Sequence, residues 1–338
     1  MIHLIYTGGT IGMVRRNDGA LEPAGIEDML IYAPELDLVA QWDYATLSPP
    51  RDSVDLGPQD WLRLARHIGQ RYHRYDGFVI LHGTDTMVYT AAALSFLLEG
   101  LQKPVILTGA QLPIGSVRSD ARNNLITAMS LAASKHPQVQ EVGIFFDDHL
   151  LRGNRAIKTS IFDFDAFSSP NFPPLARVGV STQFPTLPPR PPAPEHLHVY
   201  QQLATDVALI KLFPGITPHL LAALLDAPIK GLVLETFGSG NVPATPGLMD
   251  VIKQAVTQRN LLAVAITQQQ RGSVQLNAYA AGQQLLEAGV VSGHDMTPYT
   301  ALVKLMFLLG QKNMPLNTLQ QQLTSNLRGE LTEPGTKS

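Results

Sequence analysis

A single hydroxyl stands in a glycine-rich turn close to the start of the chain. Residues 2–6 are an apolar run that predicts a short buried strand, and Thr7-Gly8-Gly9-Thr10-Ile11-Gly12 follows it directly. Glycine lets the backbone turn sharply and approach a ligand closely, and ligands of open α/β sheets bind outside the carboxyl ends of the strands. Thr10 is therefore a candidate nucleophile. A purely structural tight turn is the alternative; the glycine spacing does not match the common phosphate-binding patterns.

A second polar turn follows the next clear strand. The apolar run 77–81 ends in His82-Gly83-Thr84-Asp85-Thr86, and a helix rich in alanine and leucine is predicted over residues 87–99. Threonine and aspartate are preferred N-caps, so capping alone can explain these residues. A cap requires only one such residue, however, and helix N-termini also attract anions. This turn is the second candidate site.

The order of strands and helices predicts how these turns are positioned. Further strands are expected at 104–107 and 142–146, with a helix from about 119 to 134 between them. This alternation predicts an α/β fold with a mostly parallel sheet covered on both faces by helices. In such a sheet, the turns after the strands gather at one edge.

Three further segments are ambiguous from sequence. Asp52-Ser53-Val54 follows a Pro-Pro pair and either presents small polar groups or caps a helix that starts near Pro58. Residues 13–25 are polar and lack periodicity, which is typical of a surface loop that is either a lid or an inert connection. The charge-dense segment 147–159 predicts mainly solvated surface, and it ends near Lys158.

A stretch of six prolines between Phe184 and Pro194 divides the sequence. Such a stretch cannot form a helix or a central strand, and it is typical of a stiff, extended linker. We therefore predict an N-terminal α/β domain over 1–184, a linker over 185–205 and a smaller C-terminal α/β domain over 206–338. In the last of these, strands are expected at 207–213, 229–234 and 261–266, and helices near 218–226, 245–259, 297–311 and 315–325.

Composition excludes several classes of function. The chain has 338 residues, 45% of them hydrophobic and 16% charged, which is typical of a globular protein with a large core. A net charge of −3 gives no basic surface for nucleic acid or an anionic membrane. There is no cysteine, no histidine pair with metal-binding spacing and no leader-like N-terminus. We expect a cytoplasmic protein without a metal.

The two turns together resemble the paired signatures of the bacterial-type L-asparaginase family. The likeness extends over nearly the whole chain, including Arg152-Gly153-Asn154-Arg155 with Lys158, and the two-domain plan. Asn326-Leu327-Arg328-Gly329-Glu330-Leu331 resembles the C-terminal signature of the cytoplasmic, type I branch. The resemblance implies hydrolysis of L-asparagine to L-aspartate and ammonia without a cofactor. It also implies a homotetramer that is a dimer of intimate dimers, each site completed by a neighbouring subunit.

The resemblance also assigns roles to residues. Thr10 corresponds to the nucleophile that forms an acyl-enzyme, and Thr84, Asp85 and Lys158 correspond to a second catalytic group. A threonine hydroxyl needs a nearby base, and a lysine between a carboxylate and a hydroxyl can move protons. Asp85, and also Thr84, would contact the substrate, with Asp85 holding its α-ammonium. The segment Asp52-Ser53-Val54 would grip the substrate carboxylate and amine.

One departure from the family pattern leaves alternatives open. Family members usually carry a tyrosine on the loop after the glycine turn, where this chain has none between Gly8 and Ala24; by count the position falls at or near Ala20. Either another group supplies the hydroxyl, with Tyr299 as a candidate, or the enzyme is slow. Our hypothesis is that the loop still closes and that Thr10 is activated mainly by Thr84 and Lys158. The rival functions are a broader ω-amidase that prefers glutamine, a weakly active asparagine sensor, and a nucleotide-binding domain, although the motifs of the last are lacking.

Overall fold

The computed structural model of the chain describes residues 1–15, 21–23, 25–134, 139–311 and 314–333. The chain forms two compact units, Met1–Gln201 and Gln202–Ser338. Within the described ranges, the helices are too short or too polar to cross a bilayer.

The first unit is built on an eight-stranded sheet with smaller two-stranded pairs beside it. In chain order its strands are β1 (Ile2–Gly8), β2 (Met13–Arg15), β3 (Leu21–Pro23), β4 (Trp42–Arg51), β5 (Gly77–Leu81), β6 (Leu98–Glu99), β7 (Val105–Thr108), β8 (Val142–Phe146), β9 (His149–Arg152), β10 (Ile157–Lys158), β11 (Phe167–Ser168), β12 (Ala176–Val178), β13 (Thr182–Gln183) and β14 (His198–Val199). Its helices are α1 (Ile26–Leu30), α2 (Leu36–Val39), α3 (Pro58–Arg71), α4 (Met87–Leu97) and α5 (Ala121–Ala132).

The large sheet is parallel in its centre and antiparallel at one end. Its strand order is β13-β12-β9-β8-β7-β5-β1-β4. From β4 to β8 all neighbouring strands are parallel, whereas β9, β12 and β13 pair antiparallel. The predicted α/β class, with a mostly parallel sheet in the larger domain, is confirmed.

Apolar strands at the centre of this sheet are buried on both faces. Every residue of β1 and of β5 is buried, as expected for continuous apolar runs in a parallel sheet. Leu4 and Tyr6 join a core cluster that includes Leu125 of α5. Ile5 points to the opposite face, since side chains alternate along a strand, and it is also fully buried. Helices therefore cover both faces of these central strands.

The second unit is a smaller α/β layer built on one parallel sheet, in the order β15-β16-β17-β18. Its strands are β15 (Val207–Lys211), β16 (Gly231–Thr236), β17 (Leu262–Thr267) and β18 (Val291–Ser292). Its helices are α6 (Pro218–Leu225), α7 (Leu248–Arg259), α8 (Ala280–Glu287), α9 (Pro298–Gly310) and α10 (Leu316–Thr324). The predicted strands and helices are present. Helix α8 and strand β18 are additions, because Gly282 weakens the helical pattern and β18 is very short.

A buried ion pair ties the C-terminal signature to the core of the second unit. Nζ of Lys304, in α9, lies 2.6 Å from Oε1 of Glu330, and both side chains are fully buried. The Glu330 carboxylate also accepts backbone N–H bonds from Leu327 and Arg328, while the ammonium donates to the carbonyl of Ser325. Burial lowers the pKa of Lys304, whereas the facing ammonium outweighs burial and holds the pKa of Glu330 below its ordinary value.

The structure corrects two expectations for irregular segments. The 13–25 segment is not wholly a loop, since β2 and β3 pair antiparallel within it. The 147–159 segment is not mainly solvated surface, because Arg152, Asn154 and Arg155 are buried. Arg152 forms an ion pair with Glu141 at 2.6 Å and covers a phenylalanine ring. Arg152 is therefore buried with its charge paired, and the segment that leads to Lys158 packs against other residues of the first unit.

The proline-rich segment continues on the surface of the first unit. Strand β14 pairs with β6, and Oη of Tyr200 donates to Oε2 of Glu99 at 2.8 Å. The two compact units meet in sequence between Gln201 and Gln202. The linker limits at residues 185 and 205 stay a prediction, and the part of the segment up to residue 201 belongs to the first unit.

Candidate active site

Three polar turns of the first unit lie at one edge of the large sheet. They follow β1, β5 and β7, which are neighbouring parallel strands. Parallel strands end at the same edge, so the turns beginning at Gly8, His82 and Gly109 are brought together. The prediction that these turns gather is confirmed, and the turns that carry Thr10 and Thr84 lie at the same edge of the sheet.

Close backbone contact joins the first turn to its neighbours. Gly8 and Gly9 have positive φ angles of 117° and 89°, which glycine adopts without strain. A Cβ atom on Gly9 would lie 2.4 Å from the Cα of Gly83, and one on Gly8 would lie 2.1 Å from the carbonyl oxygen of Arg51. No larger residue fits at either position. Thr10, half-buried, follows directly and begins a short 3-10 turn over Thr10–Gly12.

Lys158 links two residues of the second turn. Its Nζ donates to Oγ1 of Thr84 at 2.9 Å and to Oδ1 of Asp85 at 2.6 Å. Thr84 is 6% exposed, whereas the Asp85 side chain is 57% exposed. Lys158 is held by β10, which pairs with β11. The structure therefore brings together three of the four predicted catalytic side chains by direct contact, with one end of the group open to solvent.

The Asp52-Ser53-Val54 segment lies against the second turn, and its members face different surroundings. Ser53 is buried, and its carbonyl accepts a hydrogen bond from Oγ1 of Thr86 at 2.6 Å. The Asp52 carboxylate accepts the backbone N–H of Val54 at 3.1 Å and so caps a 3-10 turn. The Val54 side chain is 62% exposed. Asp52 therefore caps this short turn and not the helix that starts at Pro58, whose N-cap is Gly57, so the expected capping of that helix is wrong. Ser53 is the member packed against the second turn.

His82 supports this arrangement, although sequence reasoning did not select it. It is fully buried, with Nδ1 2.7 Å from the carbonyl oxygen of Gly83 and Nε2 2.8 Å from Oγ1 of Thr90. Burial lowers its pKa to about 4, against the opposing effect of the Gly83 hydrogen bond. The sequence feature that could have identified His82 is its position at the start of the His82–Thr86 motif.

The third turn is held by two side chains at the start of α5. The Asp120 carboxylate accepts the backbone N–H groups of Gln111 and Leu112 at 3.0 and 3.1 Å. Nδ2 of the buried Asn124 donates to the carbonyl of Gly109 at 3.1 Å. From sequence, Asp120 and Asn124 predict only the beginning of a helix. They fix a turn at the edge of the sheet beside the two candidate turns.

Two positions bear on the missing loop tyrosine, namely Ala20 and Tyr299. Ala20 lies outside the described residues. Tyr299 lies at the start of α9 in the second unit, where burial raises its pKa, with a smaller effect from Glu235. Its suggested role toward Thr10 stays a prediction.

The side chains at this edge are suited to acyl transfer. The half-buried hydroxyl of Thr10 stands in a tight turn that packs against the turn of Thr84. Lys158 touches both the Thr84 hydroxyl and the Asp85 carboxylate, and such groups can move a proton to and from a nucleophile. In the part of the chain that the structure describes, no group of three or more histidine, aspartate or glutamate side chains could hold a metal ion.

Comparison with known proteins identifies the family of the chain. The family profile described as Asparaginase, N-terminal, matches residues 1–189, and the profile described as Glutaminase/Asparaginase C-terminal domain matches residues 206–323. L-asparaginase 1 of Escherichia coli K12 is 41% identical over 334 residues, with 98% of each chain covered. A 60 kDa lysophospholipase of Mus musculus is 41% identical over 357 residues; the match covers 98% of this chain and 62% of that protein.

A solved structure is similar over the full length. The crystal structure of L-asparaginase I from Vibrio cholerae has a TM-score of 0.89 and 39% identity, with 98% of this chain and 99% of that chain covered. Both profiles, the relatives and the fold agree, and the chain therefore belongs to the asparaginase family of amidohydrolases.

Proposed function

We propose that this protein hydrolyses L-asparagine to L-aspartate and ammonia, with Thr10 as the nucleophile. The observation that carries the proposal is the contact of Lys158 with both Thr84 and Asp85, beside a glycine turn that carries Thr10. Family membership supports the class of reaction, and the geometry supports the assignment of roles.

The reaction would proceed in two halves. Oγ1 of Thr10 attacks the carbon of the substrate's side-chain amide and gives its proton to the Thr84–Lys158 pair. The same pair gives one proton to the amide nitrogen, the carbon–nitrogen bond breaks, and the nitrogen departs as ammonia. The product of this half is an ester between Thr10 and the aspartyl group. Water then attacks the ester carbon, gives one proton to the same relay, and releases aspartate with the Thr10 hydroxyl restored.

The remaining site residues would bind the substrate. The partly exposed carboxylate of Asp85 suits the substrate α-ammonium, because charge-assisted hydrogen bonds are the strong ones. Thr84 and the Asp52-Ser53-Val54 segment line the same edge and would contact the amino and carboxylate groups. Backbone N–H groups in the turns would stabilise the oxyanion, an interaction worth about 3–4 kcal/mol per donor in other enzymes.

The cellular setting is proposed on the resemblance to the type I branch. We propose a cytoplasmic homotetramer, a dimer of intimate dimers, that needs neither cofactor nor metal. Glutamine is the second candidate substrate, because one methylene changes discrimination by only about 1–3 kcal/mol.

Ammonia release from L-asparagine and L-glutamine tests the proposal. We expect turnover of asparagine by the wild type and loss of at least about 1,000-fold in Thr10→Ala, since the nucleophile is removed. Thr257→Ala is the matched control: it removes a hydroxyl that bonds only within helix α7, and it should retain wild-type activity. A wild type that releases no ammonia, yet is thermally stabilised by asparagine, would replace the proposal with the sensor function.

A further inference from the structure

We propose that His82 is a positioning residue for the reaction proposed above, on which this inference rests. Its ring holds the carbonyl of Gly83, and thereby fixes the peptide that leads into Thr84. His82 does not touch the reacting atoms; it acts through the orientation of Thr84 and so of the contact with Lys158.

The hydrogen bonds of the ring allow only one arrangement of protons. A carbonyl oxygen accepts and never donates. Because Nδ1 lies 2.7 Å from the Gly83 carbonyl oxygen, Nδ1 must carry a proton. In the neutral ring Nε2 is then an acceptor, and the Thr90 hydroxyl donates a hydrogen bond to it at 2.8 Å. The two contacts are complementary, and together they select the Nδ1–H tautomer.

Burial keeps this ring neutral under ordinary conditions. His82 has no exposed surface, and burial lowers its pKa to about 4 while the Gly83 bond opposes the shift. A protonated ring would have to place a second N–H against the Thr90 hydroxyl, reversing that hydrogen bond. The neutral donor to Gly83 is therefore the form present during turnover near neutral pH.

Planarity transmits the position of the carbonyl to Thr84. The six atoms of a peptide unit lie in one plane, so fixing the Gly83 oxygen also fixes the Thr84 N–H and its Cα. The Thr84 side chain, attached to that Cα, then lies with Oγ1 2.9 Å from Nζ of Lys158. A change of ψ at Gly83, which swings the carbonyl away from the ring, would also move the Cα of Thr84 and with it the hydroxyl that contacts the lysine.

The backbone of His82 is in contact with both neighbouring turns. Its N–H donates to the carbonyl of Thr108 at 2.9 Å. A Cβ on Gly109 would lie 2.3 Å from its carbonyl oxygen, and a Cβ on Gly9 would lie 2.9 Å from its carbonyl carbon. The three turns therefore pack around the peptide between His82 and Gly83, which is next to the Gly83–Thr84 peptide that the ring holds, and one of these turns carries Thr10.

Two variants of His82 distinguish the effects of the two hydrogen bonds that its ring makes. In His82→Asn the amide nitrogen falls near the position of Nδ1 and can still donate to Gly83. In His82→Gln the amide falls near Nε2, so the Thr90 contact is kept and the Gly83 bond is lost. Both are buried amides of similar polarity. Thr90→Val is the control that removes only the second bond.

We expect kcat for asparagine to fall roughly tenfold further in His82→Gln than in His82→Asn, the value of about one hydrogen bond. Thr90→Val should keep kcat within about threefold of wild type. Thermal midpoints are measured alongside. Equal losses of kcat in both histidine variants, in step with their losses of stability, would assign His82 a merely structural role.

Nitrogen NMR of histidine-labelled wild type gives a readout that needs no variant activity. We expect a protonated Nδ1 and an unprotonated Nε2, with the Nε2 signal shifted in Thr90→Val. A proton on Nε2 with an unprotonated Nδ1 would overturn the proposal. Absence of asparagine turnover in the wild type would disprove the proposed function instead, and the tautomer measurement distinguishes the two failures.

Discussion

Nζ of Lys158 lies 2.9 Å from Oγ1 of Thr84, which precedes it by 74 positions in the chain. The lysine comes from the short strand β10, and the threonine comes from the turn after β5. Lys158 is 13% exposed and also forms an ion pair with Asp85. Such a contact between distant segments costs side-chain entropy, and it is the contact on which the proposed proton transfer depends.

Removing the ammonium should therefore abolish most activity with little effect on stability. We expect Lys158→Met to lower kcat for asparagine by roughly 100-fold or more, in line with the contribution of general acid–base groups. Its thermal midpoint should change little, because ion pairs with an exposed partner are worth about 0–1 kcal/mol.

Lys230→Met is the control for loss of a lysine ion pair. Lys230 pairs with Asp206 at 2.9 Å on the surface of the second unit, and this variant should retain full activity. Activity of Lys158→Met within a fewfold of wild type would show that the lysine is not in the proton path.

A methyl group at Gly9 should separate the first two turns. Gly9→Ala places a Cβ 2.4 Å from the Cα of Gly83 in a backbone with φ of +89°. We expect destabilisation of roughly 3 kcal/mol from strain and overpacking, together with loss of activity. Urea denaturation and ammonia release measure the two effects. Gly179→Ala, where a Cβ meets no atom within 4 Å, should change neither, and a stable, active Gly9→Ala would contradict the close packing.

Loss of the buried lysine should destabilise the second unit. Lys304→Met leaves the fully buried carboxylate of Glu330 without its partner, and we expect a loss of about 3–5 kcal/mol in the free energy of unfolding. The double variant Lys304→Met with Glu330→Gln should recover part of that loss, since no unpaired charge stays buried. Chemical denaturation of both variants measures this, and additive losses would rule out coupling between the pair.

Histidine burial makes stability depend on acid. The folded-state pKa of His82 is about 4, below the ordinary value of 6.5, so the unfolded chain binds more protons between these values. The contribution of His82 to the free energy of unfolding is therefore fully present above about pH 6.5. It is lost as the pH drops toward 4, and the loss amounts to about 3 kcal/mol. Burial lowers the pKa of His67 to about 4 as well, and also lowers that of His3, so their effect has the same sign.

The His82 contribution is isolated by comparison with His82→Asn. Unfolding free energies of both proteins are measured at several pH values, and the difference between them should shrink on acidification. His67 and His3 are common to both proteins and cancel. A difference that is independent of pH would show that His82 titrates normally in the folded state.

Much of the fold and part of the site follow from local sequence. Continuous apolar runs such as 77–81 identify buried parallel strands because both faces must be covered, and glycine pairs such as Gly8-Gly9 identify tight turns because other residues cannot adopt those angles. The alternation of strands and helices then places Thr10 and Thr84 at one edge. The antiparallel pairing of β2 with β3 and the helix α8 were not predicted, since short elements in polar or glycine-containing sequence have weak patterns.

The α/β class, the strands whose ends carry the candidate site, and the family that the motifs indicate can all be inferred from the residues in their order. The contacts between side chains cannot: Lys158 binds Thr84 and Asp85, Ser53 is packed inward while Val54 is exposed, and His82 holds Gly83. The physical reason is that backbone conformation is set by neighbours along the chain. Burial, ion pairing and the tautomer of a ring are instead set by segments that meet only after folding.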